Sequence, residues 1–329
     1  MTQTAPRTDP ADLVRHELAQ VEAILRDSCR SEVELLQEAA HHTVSAGGKR
    51  LRPQLALLSA AAAGAHNGRA VGVAAACELI HTATLVHDDV VDESDSRRGR
   101  ESARFHYGNP ASVLMGDFLV VRAFRIVAGE PDRRLWTLLA ETIARMCEGE
   151  VLQLCTRGDT SAGESVYDTI IECKTAVLMS LCCRLGCLVA GRDPACVERL
   201  ADFGYHVGMA FQIQDDILDF LGDETVLGKP VGGDFREGKV TLPLIYALEH
   251  AAPEDRELLQ QLCAKSSALT RDDVDRATRI IEAAGGFDRA RERARQLVEE
   301  ARRDLETVPP GPARDGLVAL SEQVVERIH

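Results

Sequence analysis

Two short stretches carry more acid than their surroundings explain. Asp88-Asp89-Val90-Val91-Asp92 and Asp215-Asp216-Ile217-Leu218-Asp219 each place an aspartate pair three residues ahead of another aspartate. Both sit in apolar, proline-free sequence that reads as helix, flanked by Leu85 and Val86 in one case and by Phe211 and Ile213 in the other. Positions four apart share a helix face, so Asp88 aligns with Asp92 and Asp215 with Asp219. Four carboxylates on two facing helices repel one another unless a cation lies among them. Oxygen-only ligands suit a hard ion such as Mg2+, which keeps some waters and accepts substrate phosphate oxygens. One such acidic repeat is ordinarily a solvated helix face; two copies in apolar surroundings are hard to read that way.

Basic residues recur around glycines. Gly47-Gly48-Lys49-Arg50-Leu51-Arg52-Pro53 combines a backbone that can approach an anion with three cations, and Pro53 suits the first residue of the helix that follows. Arg97 and Arg98 come just after the first acidic stretch, and arginine is suited to gripping phosphate oxygens in pairs. Lys174 stands alone among Ile170, Ile171, Val177 and Leu178, as either a snorkelling surface residue or a ligand. Gly228-Lys229 through Gly238-Lys239 reads as a mobile lid.

Helices must hold these groups in place. Apolar spacing predicts one helix through Leu13, Val14, Leu18, Val21, Ile24 and Leu25, and a second through Val33 to Ala39 that stops at Gly47-Gly48. Further helices are expected over 54–63, 71–92, from Asn109 through Ile126, 134–154, 166–190 and 195–221, and another starts at Thr241-Leu242-Pro243. Amphipathic helices fill 271–329, broken at Gly285-Gly286. The 71–92 helix is apolar nearly all round and so is expected at the centre. Nothing alternates convincingly with period two. The reading is all-α, with residues 1–10 disordered and 11–329 a single domain.

The 329 residues carry a net charge of -14, which argues against nucleic-acid binding while leaving anionic substrates open to local basic clusters. No uncharged apolar run reaches about 18 residues, so no membrane span is expected. The polar start lacks an apolar signal core, and a cytoplasmic protein is the default. Ten cysteines without any CxxC read as small buried hydrophobes in a reducing compartment.

Taken together, the motifs resemble those of the trans-isoprenyl diphosphate synthases, the polyprenyl synthetase family, from about residue 20 to the end. The segments that carry the resemblance are Gly47–Pro53, His87–Asp92 with Arg97-Arg98-Gly99, Gly116-Asp117-Phe118, Lys174-Thr175, Phe211–Asp219, and Gly228-Lys229 through Gly238-Lys239. Cys173 departs from the glycine expected before Lys-Thr, a change of packing more than of chemistry. The resemblance implies an isoprenoid synthase helical bundle around a central apolar tunnel, working as a homodimer whose interface an apolar helix such as 112–128 supplies. It implies two or three Mg2+ ions. Asp88 and Asp92 hold two and Asp215 the third, Asp219 belongs to the same metal set, and Asp89 and Asp216 support it. Arg97, Lys174, Lys229 and Lys239 grip an allylic diphosphate, while Lys49, Arg52, His81 and Arg98 bind isopentenyl diphosphate. Thr175 and Gln212 face a developing carbocation. The reaction adds five-carbon units in trans geometry.

Product length depends on what lies beneath Asp88. One helical turn is about 5.4 Å, close to one isoprene unit, so Thr84 and Ala83 sit where the growing tail arrives. Both are small where short-chain members of the family typically carry an aromatic, and the segment Ile80–His87 resembles the quinone side-chain synthases; the resemblance implies a long product of roughly thirty to fifty carbons, at about one isoprene unit per turn. The alternatives are a short-chain synthase making farnesyl or geranylgeranyl diphosphate, with Met115 or Phe124 closing the tunnel, and a non-catalytic subunit of a heteromeric enzyme.

Overall fold

The computed structural model describes residues 9–65, 68–97, 99–222 and 231–326, with Ser267 and Glu326 described by their backbone alone. Described residues begin with a surprise at the N-terminus. Asp9 and Pro10, counted with the disordered tail on sequence, open a one-turn helix, α1 (Pro10–Leu13), because the Asp9 carboxylate accepts the Ala11 N–H. The remainder is almost wholly helical, as the apolar spacing requires. It falls into two compact units, built from residues 1–143, 178–204 and 302–320, and from 144–177, 205–301 and 321–329.

The first unit is centred on α5 (Gly68–Val91). This helix packs on α2 (Arg15–Ser28), α4 (Leu51–Ala62) and α7 (Asn109–Val127). From Val73 to Ile80 every side chain is buried and all but Glu78 are apolar, which an alanine-rich helix can satisfy only in a core. It is also long and apolar enough to cross a membrane by length and composition, but most of it is covered by the protein itself. Asn109-Pro110 starts α7 as expected. Between α5 and α7 lie a two-stranded hairpin, β1 (Ser96–Arg97) with β2 (Arg100–Glu101), and the short α6 (Ala103–Tyr107), neither of which the periodicity showed. Helix α10 (Val177–Val189) approaches α4 so closely at Gly186 that a Cβ there would stand 2.2 Å from the Ala56 carbonyl oxygen.

The second unit contains the end of α8 (Arg134–Cys155), α9 (Glu164–Ile171) and the later part of α11 (Pro194–Leu221). The helix expected over 166–190 is not continuous. A π-helical turn, Glu172–Ala176, separates α9 from α10, and it holds Lys174 and Thr175. Such turns are a recurring device for re-aiming side chains at functional sites. At Gly208 a Cβ would meet the Ala176 Cα at 2.6 Å, so α11 lies directly against this turn. Beyond it come α12 (Gly233–Arg236), α13 (Leu242–His250), α14 (Pro253–Lys265), α15 (Arg271–Ala283), α16 (Gly286–Asp304) and α17 (Pro312–Glu326).

Of the lid expected over 228–239, residues 231–239 are described. Residues 231–239 are ordered around α12, because Phe235 is an apolar anchor inside a polar stretch. Its ring is buried, with its centroid 5.9 Å from that of Phe220. Gly228, Lys229 and Pro230 lie outside the described residues.

Candidate active site

In the first unit, α5 presents one half-buried stripe, His81, Thr84, Leu85 and Asp88, continued by Asp92 one turn on. Asp89 points elsewhere. It is buried and accepts Arg97 Nε at 2.7 Å. Burial pushes the Asp89 carboxyl upward, and the Arg97 guanidinium pulls against that rise. The acidic stretch thus divides its work: Asp88 and Asp92 line the open face, while Asp89 positions a cation. The hairpin makes the pairing possible. Glu93 takes a left-handed conformation (φ 50°) that ends the helix, and Gly99 (φ 72°) turns the chain back. Arg104 Nη1, which sequence reasoning missed, donates to the Glu93 carbonyl at 2.7 Å and holds that end in place. Arg98 lies outside the described residues.

Gly116 also has a physical explanation. A Cβ there would stand 2.2 Å from His87 Nε2, so only glycine leaves room for the imidazole. His87 Nε2 is 3.2 Å from the Val113 carbonyl oxygen and 3.6 Å from Asp117 Oδ1.

The basic loop is built differently from the expectation. Helix α4 starts at Leu51 rather than at Pro53, so Arg52 stands in its first turn and Pro53 follows inside it, where a missing N–H costs nothing. Gly47 and Gly48 both have positive φ, and so does Arg50 at 47°. Arg50 is not a third anion ligand. Its guanidinium bonds both Glu22 carboxylate oxygens, Glu78 Oε1 at 2.9 Å and the Val44 carbonyl at 3.0 Å. Lys49 is exposed and its carbonyl accepts Gln54 Nε2, while Arg52 is half-buried. A cleft of about 40 Å³ gathers His81, Asp89 and Arg97 with Arg50, and Lys49 and Arg52 are not among its lining residues.

The second unit holds a continuous polar chain. Thr175 Oγ1 donates to Gln212 Oε1 at 2.7 Å, Gln212 Nε2 donates to Asp216 Oδ1 at 2.9 Å, and Tyr167 Oη donates to Asp216 Oδ2 at 2.7 Å. These bonds fix the Gln212 amide with its oxygen toward Thr175. Asp216 and Tyr167 are buried, and both titrate well above their ordinary values. Burial is the first cause for each; Asp234 then adds to the rise of Asp216, and Asp216 to that of Tyr167. Asp215, by contrast, is exposed. Asp219 is buried, with Oδ2 accepting the Asp234 N–H at 3.0 Å and its carbonyl accepting the Gly232 N–H at 2.6 Å, so it anchors the 231–239 segment. Lys239 Nζ is tied to Asp234 at 3.1 Å and Glu237 at 2.6 Å. Lys174 is no snorkelling surface residue: its Nζ meets Glu150 Oε1 at 2.7 Å and Gln153 Oε1 at 3.2 Å. Lys229 lies outside the described residues. Glu150, Gln153 and Tyr167 were not foreseen; each reaches the site from a helix with no acidic motif of its own.

Cys173 finds its compensation across the packing. A Cβ on Gly149 of α8 would stand 2.4 Å from the Cys173 Cβ. The side chain gained at 173 is matched by the one missing at 149. Gly149→Ala is therefore expected to cost about 1–3 kcal/mol by overpacking, and Cys173→Gly in the same chain to restore most of it. Denaturant melts of the two single variants and the double measure this; simple additivity would contradict the pairing.

Among the described residues, no three His, Cys, Asp or Glu side chains cluster closely enough to hold an ion unaided. Within the first unit, Asp88 and Asp92 are all-oxygen ligands one turn apart on an open stripe, which fits an ion such as Mg2+ that keeps waters, takes phosphate oxygens and needs no closed protein cage. Within the second unit, Asp215 is an exposed carboxylate of the same chemistry.

The polyprenyl synthetase family model matches residues 33–281. The octaprenyl diphosphate synthase of Escherichia coli is 37% identical over 316 residues, covering 96% of this chain and 97% of that one. The short chain isoprenyl diphosphate synthase of Methanothermobacter thermautotrophicus is 38% identical over 300 residues, with 90% and 91% covered. A crystal structure of the Caulobacter crescentus polyprenyl synthase, complexed with calcium and isoprenyl diphosphate, superposes with a TM-score of 0.93 at 38% identity, covering 97% of each chain. With three quarters of its length inside the family model and full-length relatives above a third identical, the chain belongs to the polyprenyl synthetase family of trans-prenyltransferases.

Proposed function

We propose that the chain is a single catalytic domain over residues 11–329. In this reading it condenses isopentenyl diphosphate with an allylic diphosphate into an all-trans polyprenyl diphosphate of roughly thirty to fifty carbons, about one isoprene unit per helical turn of tunnel. The observation that carries this reading is the α5 stripe, where Asp88 and Asp92 at the rim are followed one turn down by the small, half-buried Thr84. The octaprenyl product named for the Escherichia coli relative supports the long chain.

Asp88, Asp92 and Asp215 take the Mg2+ ions; Asp219, expected in the same set, is buried and accepts the Asp234 N–H, so its part is to hold the segment beside Asp215. Bound Mg2+ supplies charge that stabilises diphosphate as a leaving group. Arg97, held by Asp89, and Lys174, held by Glu150 and Gln153, bind the allylic diphosphate with Lys229 and Lys239. Lys49, Arg52, His81 and Arg98 bind isopentenyl diphosphate. The Gln212 carbonyl oxygen, oriented by the Thr175 hydroxyl that donates to it and by the bond the amide Nε2 donates to Asp216, faces the allylic cation as it forms, so a fixed dipole meets the developing positive charge.

The short chain isoprenyl diphosphate synthase among the relatives supports a shorter product as the second reading. Substituting an aromatic tests the gauge directly. Thr84→Phe is expected to shorten the main product by at least one isoprene unit. Ala83 is fully buried behind the stripe, so Ala83→Phe should shorten the product too while lowering stability by about 1–3 kcal/mol. Unchanged chain length in both variants would place the gauge elsewhere.

A second copy of the chain is the proposed partner. On α7, Val113, Leu114 and Val121 are exposed, a row of apolar surface on one face of a helix whose other face packs on α5. Sedimentation of the 35.8 kDa chain should give twice that mass, and Leu114→Glu with Val121→Glu should halve it. All ten cysteines are free thiols, which supports a reducing, cytoplasmic setting.

A further inference from the structure

Cys187 lies near the end of α10 and Cys196 in the first turn of α11, both within the first unit. Their sulfurs are 3.5 Å apart. Between them the chain reverses at Gly191 (φ 74°), and Asp193 Oδ1 accepts the Cys196 N–H at 3.1 Å, which fixes where the second thiol stands. Cys187 is fully buried, and Cys196 is half-exposed. An agent arriving from solvent therefore meets Cys196 first, with a second sulfur already behind it. Another thiol pair in the same unit provides the contrast. Cys182 hydrogen-bonds Cys77, but both are fully buried and solvent reaches neither.

We propose that Cys187 and Cys196 form an oxidation site, converted to a reversible disulfide by a hydroperoxide. The Cys196 sulfur attacks a peroxide oxygen, the O–O bond breaks, and Cys196 sulfenic acid forms with one molecule of water or alcohol. The Cys187 sulfur then attacks the sulfenic sulfur. The S–O bond breaks, the departing hydroxyl takes the Cys187 proton and leaves as water, and the S–S bond forms. Two thiols lose two electrons and one peroxide gains them; a dithiol reverses the step. Burial, with Cys196 alongside, pushes the Cys187 thiol well up. It is thus a poor nucleophile toward solvent reagents, and its reaction with Cys196 depends on contact. Closure from 3.5 Å to a bond of about 2.05 Å requires the sulfurs to approach by about 1.5 Å. Both residues lie at helix ends, where the backbone yields most readily.

The test uses the reduced full-length protein, treated with hydrogen peroxide, blocked with N-ethylmaleimide and digested for mass spectrometry. The expected result is the Cys187 and Cys196 peptides joined, two hydrogens lighter than their sum, and separated again by dithiothreitol. Cys196→Ser should abolish that species. In Cys187→Ala, Cys196 should instead accumulate sulfenic and sulfinic acid. A wild-type protein whose Cys196 passes to sulfinic acid or stays alkylatable while Cys187 remains a thiol would overturn the proposal, whatever the variants do.

Discussion

Asp88→Ala is expected to lower kcat by about 10²–10³-fold, the usual cost of removing one preorganised stabiliser of transition-state charge. Asp88 lies on the open stripe of α5 with Asp92, whereas the adjacent Asp89 is buried and committed to Arg97. Two neighbouring aspartates are therefore not interchangeable, and Asp89 has no free geometry from which to stand in. Far-ultraviolet circular dichroism and the melting curve of Asp88→Ala should match the wild type, since a half-exposed carboxylate is lost from a face that holds no core. Asp89→Asn should act in another way. It weakens the anchor of Arg97, so KM for the allylic substrate should rise more than kcat falls. Steady-state kinetics on both variants separate the two roles. An Asp88→Ala enzyme within tenfold of wild type would contradict the assignment.

Arg50→Ala is expected to destabilise the fold by about 3–5 kcal/mol, because it leaves a buried carboxylate without its partner. The Arg50 side chain is 10% exposed and that of Glu78 is 5% exposed. Burial works against the Arg50 charge, but Glu22 and Glu78 outweigh it, and the guanidinium titrates above its ordinary value. One residue thus ties α2, the end of α3 (Glu34–Val44) and α5 to the start of α4. The left-handed backbone at Arg50 (φ 47°) gives a second handle. Arg50→Gly removes the same ion pairs but relieves the strained φ, so it should be less damaging than alanine by roughly 1–2 kcal/mol. Urea denaturation of Arg50→Ala, Arg50→Gly and Arg50→Ala/Glu78→Gln measures each part, and the double variant should recover stability relative to Arg50→Ala alone. Equal loss in the alanine and glycine variants would show that backbone strain contributes nothing.

How much of this was legible in the chain depends on where the decisive partner lies. Helices α5 and α11 could be read directly, because their acidic pairs interrupt long apolar runs. The charge at Gly47–Pro53 was legible as charge, but Arg50 could not be told from Lys49 and Arg52. Its partners Glu22 and Glu78 are each 28 residues away, and nothing local marks them. Lys174 was ambiguous for the same reason, until Glu150 and Gln153 on α8 decided it. The segment ending at Lys239 reads as a polar loop, because its glycines and lysines outnumber one phenylalanine. That residue, Phe235, is buried against Phe220 and anchors the segment, which its neighbours in sequence do not announce. Cys173 was noticed as a departure, but the glycine that absorbs it, Gly149, has meaning only once α8 and the π turn are packed together. Local spacing shows which residues are unusual; their roles come from contacts that spacing does not encode.

The most direct measurement incubates the purified protein with labelled isopentenyl diphosphate, an allylic primer and Mg2+, then sizes the dephosphorylated products by chromatography. All-trans products of roughly thirty to fifty carbons are expected, scaled by about one isoprene unit per helical turn below Asp88, and no product when EDTA is present. Products that stop at fifteen or twenty carbons would contradict the long tunnel. No turnover without a second protein would contradict the catalytic reading itself.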